Sequence, residues 1–161
     1  MSKKEEKTNV MRVLEQKGIP FTPHTYPHED GVAVDGVTVA RSMGQDPECV
    51  FKTLVARGAS KALYVFDIPV GDTLDLKKAA RAVGEKSIAM LPQKELLSNT
   101  GYVHGGCSPV GMKKPFPTVL DGSVEGLDAI VVSAGKIGAQ VELAPAALCA
   151  LVGGTFAPVS K

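Results

Sequence analysis

Apolar positions along this chain follow two periods, and the switches between them mark out its elements. Between Thr8 and Gly18, positions Val10, Val13, Leu14 and Lys17 fall at helical spacing. Thr8 is placed to cap that helix and Gly18 to stop it. Ile19-Pro20 then breaks the chain into an extended segment, Phe21 to Tyr26, whose alternation and internal Pro23 predict an edge strand. Val37 to Met43 reads as a short helix stopped by Gly44, and Asp46-Pro47-Glu48 opens a turn. The run VFKTLVA, residues 50–56, and the run ALYVFDIPV, residues 62–70, flank the turn Gly58 to Lys61 and predict an antiparallel hairpin.

Helical spacing returns from Leu74 to Val83, with Asp75 at its start and Gly84 as its stop. Ser87 to Leu91 reads as a strand and Gln93 to Ser98 as a helical turn. A Gly-rich loop leads from there to a strand at Thr118 to Leu120. Ala129 to Ser133 and Gln140 to Leu143 form a second hairpin about the turn Ala134 to Gly138. Pro145 to Leu151 is a last helix closed by Gly153-Gly154, and Thr155 to Val159 a last short strand. Hairpins, rather than regular βαβ crossovers, connect these pieces. The expected class is α+β, with a mixed, largely antiparallel sheet and flanking helices. There is no repeat and no linker, so residues 8–161 form one domain behind a solvated tail at residues 1–7.

Composition narrows the function classes. At 161 residues, 44% hydrophobic and 22% charged, the chain fits one ordinary globular domain. A net charge of +1 gives no global basic field, so contact with nucleic acid must be local or shared with a partner. Cys49, Cys107 and Cys149 are too few and too scattered for a disulfide framework, which suits a reducing cytoplasm. MSKKEEK lacks the apolar core of a signal peptide, and no run approaches the length of a membrane span. P-loop and dinucleotide fingerprints are absent from the sequence.

Candidate chemistry concentrates in the stretch from Thr100 to Lys114, TGYVHGGCSPVGMKK. Its Gly105-Gly106 pair can aim successive N–H groups at one point, the geometry of an oxyanion hole. The same residues also fit a Gly-rich turn that binds nothing. Lys52 is the one charge in its apolar strand, on a face with Val50, Leu54 and Ala56. Its ammonium either meets an anion in a cleft or snorkels to an edge that it protects from pairing. Tyr26, at a strand end, can line a pocket. His24 and His28 invite a metal reading, but four residues of extended chain separate them by about 13 Å, too far for one ion. Ser133-Ala134-Gly135-Lys136 matches S-x-x-K in a turn, where that pattern needs a helix start. Cys107 with His104 is a conceivable thiol–imidazole pair, set against a cysteine that simply packs. Lys77, Lys78 and Arg81 form a small basic face.

Taken together these markers resemble the YbaK-type aminoacyl-tRNA deacylases, relatives of the editing insertion domain of bacterial prolyl-tRNA synthetases. The likeness runs from about Thr8 to Phe156. It rests on His24-Thr25-Tyr26, Val50 to Leu54, Leu74 to Lys78, Thr100-Gly101-Tyr102 leading into Gly105 to Gly111, and the Ser133 to Gly138 turn. The resemblance is strongest to free-standing deacylases that hydrolyse cysteine mischarged onto proline tRNA. It implies that Lys52 meets the phosphate or ribose of the tRNA 3′ end, that the Gly105 and Gly106 N–H groups stabilise the oxyanion, and that Tyr26 lines the pocket. It further implies substrate contacts from Gly101, Ser108, Ser133, Gly135, Lys136 and Gln140. It also implies no metal or cofactor, attack by the substrate's own thiol, and a partner such as prolyl-tRNA synthetase to hold the tRNA body. Two positions depart from the pattern: Gln140 stands where an acidic residue is common, and Cys107 where a small or apolar residue is usual. Removal of another small amino acid such as alanine, or tRNA or synthetase binding without catalysis, are the alternatives.

Overall fold

The computed structural model describes residues 7–29 and 32–161. The expected tail falls outside these residues except for Lys7, which pairs with Glu15 at 3.1 Å on the surface. Helix α1 spans Asn9–Gln16, and the Thr8 hydroxyl accepts the Met11 N–H at 3.2 Å, the cap that its sequence position predicts. Strand β1 is Thr22–Thr25, and α2, Gly36–Ser42, is capped by Asp35. The hairpin β2, Phe51–Gly58, and β3, Leu63–Pro69, leads to α3, Leu76–Val83. Asp75 caps α3 through the Lys77 and Lys78 N–H groups, and Gly84 ends it in the left-handed conformation. Next come β4, Ile88–Met90, and the short α4, Leu96–Thr100. Past the Gly-rich loop follow β5, Thr118–Asp121, β6, Ile130–Ser133, and β7, Ala139–Leu143. Helix α5, Pro145–Val152, and β8, Thr155–Ala157, close the described chain.

The α+β class and the largely antiparallel pairing are as expected, and the strands divide between two sheets. The smaller is antiparallel in the order β1-β7-β6, with β1 on its edge as Pro23 requires. The larger runs β4-β2-β3-β5-β8, antiparallel among its first three strands and parallel among its last three. A single parallel bridge, Val50 to Val131, ties β6 to the start of β2 and brings the two sheets edge to edge.

Two apolar clusters fix that arrangement. Val10 and Leu14 of α1 pack with Leu120, Ile130, Val132, Val141 and Leu148, so α1 seals the β6–β7 hairpin. Phe66, Ile68, Leu74, Ala79 and Val159 pack α3 on the other side of the larger sheet. Each large aliphatic side chain removed from water in this way contributes roughly 1.5–3 kcal/mol.

The open edge of β2 positions the site. The Val50 carbonyl accepts from Val70 N–H and Gly58 N–H donates to Ala62, so even-numbered residues bond toward β3. Odd-numbered residues turn their backbone groups the other way, where the Val55 carbonyl accepts from Leu91 N–H. β4 covers that second edge only from Val55 onward. Ahead of it, Thr53 presents its backbone N–H and carbonyl to an unpaired edge.

Candidate active site

A cavity of about 380 Å³ lies along that edge. It is walled by β2 on one side, by β6 and β7 on another, by the approach to α2 and by the Gly-rich loop. Lys52, Gly105, Tyr26, Ser133 and Gln140, all singled out in the sequence, line it together. Lys52 is half-buried and makes no ion pair among the described residues. Among the described residues it is the one lysine or arginine in the lining. Tyr26 is held by its N–H, which donates to the Gly138 carbonyl at 2.9 Å, and its ring meets His28 edge-on with centroids 6.3 Å apart.

Helix α4 ends at Gly101, which takes the left-handed conformation with φ +86°. The Tyr102 hydroxyl donates to the Val110 carbonyl and pins the two limbs of the loop. Gly105 lies exposed on the cavity wall with φ +88°, and a β-carbon there would stand 2.7 Å from Ala33 Cβ. Only glycine meets both constraints without strain.

Gly106 behaves differently from the expectation of two paired donors. Its N–H donates to the Val103 carbonyl at 3.0 Å, so that hydrogen is already used inside the turn. A β-carbon on Gly106 would meet Lys136 Cα and Ile137 N at 3.0 Å. Gly106 is thus where the loop presses on the Ser133–Gly138 turn.

Four other expected contacts lie outside the lining. Gly101 is the α4 stop. Ser108 is fully buried, and its hydroxyl accepts the Val110 N–H at 3.3 Å. Gly135 donates its N–H to Ser133 Oγ at 3.1 Å, and a β-carbon there would touch Tyr102 and Val10. Lys136 is exposed beside Gly106. Ser133 ends a strand rather than starting a helix, which removes the context that S-x-x-K requires. His24 and His28 also go separate ways. His24 Nε2 donates to Glu142 at 2.7 Å, and His28 Nδ1 donates to the Tyr26 carbonyl at 3.3 Å.

Gln140 is buried, and its side-chain carbonyl accepts from Gln45 Nε2 at 3.0 Å. Cys107 lines the cavity from the loop, and burial, with Asp67 nearby, pushes its thiol up to about 12. Such a thiol stays protonated at neutral pH and is a poor nucleophile. Asp67 itself is fully buried. Its carboxylate accepts the Thr53 hydroxyl at 2.5 Å, and burial raises it to about 7.

Sequence reasoning missed Thr53 and Asp67. Their signal was one carboxylate inside an otherwise apolar run, ALYVFDIPV, opposite a threonine in the hairpin register. Thr53, Leu96, His104 and Val132 also line the cavity. Among the described residues no group of three or more His, Cys, Asp or Glu is placed to hold a metal, and no helix is long and apolar enough to cross a membrane.

The family profile for the aminoacyl-tRNA editing domain matches residues 32–151, which include all the cavity-lining residues except Tyr26. An Enterococcus faecalis protein named "Putative Cys-tRNA(Pro)/Cys-tRNA(Cys) deacylase EbsC" is 45% identical over 159 residues, spanning 98% of this chain and 96% of that one. A proline–tRNA ligase of Shouchella clausii is 28% identical over 99 residues, 62% of this chain and 17% of the ligase. A solved structure described as "a putative trans-editing enzyme for prolyl tRNA synthetase" superposes with a TM-score of 0.79 at 27% identity, covering 94% of each chain.

Proposed function

This chain belongs to the aminoacyl-tRNA editing domain family, and we propose that it is a trans-editing deacylase that removes cysteine mischarged onto proline tRNA. The observation that carries the reading is a cavity of small-ligand size in which Lys52 is the one lysine or arginine among the described lining residues and the Cys107 thiol is held protonated. Lys52 is suited to the phosphate or ribose of the terminal adenosine, and the wall from Gly105 to Tyr26 to the aminoacyl group. Exposed Lys136 stands where it can meet further backbone phosphate.

An aminoacyl ester is already activated, so orientation and oxyanion stabilisation do much of the work. The backbone N–H groups of Gly105, on the cavity wall, and of Thr53, on the open edge of β2, would serve as the oxyanion donors, with Gly106 setting the loop against Lys136 and Ile137. The nucleophile comes from the substrate: the cysteinyl sulfur attacks its own carbonyl carbon, the ribose oxygen leaves, and water later opens the thiolactone. The near-neutral net charge favours a partner, prolyl-tRNA synthetase, that holds the tRNA body, and an editing role would place the protein in the cytoplasm, where mischarged tRNA arises.

The test offers proline tRNA charged with cysteine or alanine to the purified protein and follows ester loss. Release of cysteine well ahead of alanine supports the assignment, and Cys107→Ser keeps that activity. Binding without hydrolysis of either ester overturns it.

A further inference from the structure

From the cavity wall inward runs a pair of polar side chains that the mechanism above does not use, taking only the backbone N–H of one of them. Thr53 and Asp67 are directly opposed in the β2–β3 ladder, so they share one face of the sheet. Thr53 is half-buried and lines the cavity, whereas Asp67 has no exposed surface at all. The Thr53 hydroxyl donates to Asp67 Oδ1 at 2.5 Å. Asp67 Oδ2 is buried without a hydrogen-bond partner among the described residues. A carboxylate placed so costs several kcal/mol of desolvation that one hydrogen bond does not offset. A shape-filling valine would be more stable there, so the group points to a use.

Resting on the deacylase reading, we infer that Asp67 acts through Thr53 as the proton acceptor for the substrate thiol. The sulfur of the cysteinyl group passes its proton to Thr53 Oγ1 as the hydroxyl proton of Thr53 moves to Asp67 Oδ1. The sulfur electron pair forms the S–C bond at the ester carbonyl, and the C–O bond to ribose breaks. The proton held by Asp67 returns through Thr53 to the departing ribose oxygen. The products are a thiolactone and a tRNA with a free terminal hydroxyl, so atoms and charge balance with no added reactant. Thr53 touches the substrate; Asp67 is a positioning residue that sets the proton affinity of Thr53.

The surroundings fit this role. The titratable side chain that the loop brings to Asp67 is Cys107, which stays neutral. Val55 and Val65 pack on the same face, and β5 offers Leu120 across the ladder. Among the described residues no cation is paired with Asp67, so its charge is available to draw a proton rather than locked in an ion pair. Its elevated proton affinity matches a base working near neutrality.

The experiment is single-turnover cleavage of Cys-tRNA(Pro) between pH 5.5 and 9 (an assay range set at roughly two units about neutrality) by wild type, Asp67→Asn, Thr53→Val and Thr53→Ser. The wild-type rate should rise through a limb near neutrality. Asp67→Asn and Thr53→Val should lose about 10²-fold at neutral pH and lose that limb, their residual rate following only the free thiol near 8.5. Thr53→Ser, which keeps the hydroxyl, should restore both rate and limb. Near-isosteric Asp67→Asn keeps the fold, which circular dichroism checks. An active wild type with an unchanged Asp67→Asn profile overturns the relay alone. A wild type that leaves Cys-tRNA(Pro) intact overturns the deacylase reading and the relay with it.

Discussion

Ser133 and Gln140 face each other across the β6–β7 ladder, and both line the cavity. Gln140 is the buried member of the pair and is also bonded to Gln45 from the segment after α2. The other polar atom of Gln45, Oε1, is buried without a partner among the described residues. Replacing Gln140 by leucine would leave both polar atoms of the Gln45 side chain without a partner among the described residues. Gln140→Leu should therefore lose roughly 1–3 kcal/mol in urea unfolding and should also slow deacylation. A variant with wild-type stability would show that the Gln45 bond contributes nothing.

Lys52 carries the anion-binding part of the account. Lys52→Ala should abolish most activity while the melting temperature changes little, because the ammonium has no ion-pair partner among the described residues. Lys52→Arg should not restore the rate, since a planar fork replaces a point charge. Wild-type turnover in folded Lys52→Ala would remove Lys52 from the site.

The two loop glycines should separate in their effects. Gly105→Ala places a β-carbon against Ala33 at a left-handed φ, on the cavity wall. Turnover should fall by about 10²–10³, the worth of a lost oxyanion donor, beyond what unfolding accounts for. Gly106→Ala presses on the backbone of Lys136 and Ile137, and its N–H is already bonded. Here the loss should fall mainly on stability, by about 1–3 kcal/mol. Paired melting and single-turnover data distinguish the two, and equal rate losses at equal stability would contradict the division.

The parts of this protein legible in its sequence are those that local physics decides. Thr8, Asp75, Gly18 and Gly84 mark helix ends because capping needs those residues within a turn. The β2–β3 and β6–β7 hairpins follow from alternation on either side of a turn. Lys52 and Gln140 stood out as candidates, yet they stand 88 positions apart in the sequence, and nothing local tells that the Val50–Val131 bridge brings their strands together. Gly101, Ser108, Gly135 and Lys136 sit beside lining residues in sequence but turn away from the cavity, because loop and turn pack on each other. Asp67 was hidden for the opposite reason: an apolar run masks a buried carboxylate until its cross-strand neighbour is known.

Stability should carry its own trace of Asp67. Burial raises this carboxyl from 3.8 to about 7, so the native state holds the proton to higher pH than the unfolded chain does. Its contribution favours the fold below about 3.8 and is lost as pH rises through about 7. Over that window the wild type should lose on the order of a few kcal/mol relative to Asp67→Asn, and at neutral pH the variant should be the more stable protein. Melting curves that stay parallel from pH 4 to pH 8 would contradict the raised proton affinity.

Attack by the substrate's own sulfur is the central claim, and changing a single atom of the substrate tests it. Proline tRNA charged with serine fills nearly the same volume as the cysteinyl form but offers a hydroxyl, a far weaker nucleophile at neutral pH. Single-turnover rates with enzyme in excess should show the seryl ester cleaved at least about 10²-fold more slowly. Equal rates on the two esters would contradict the account.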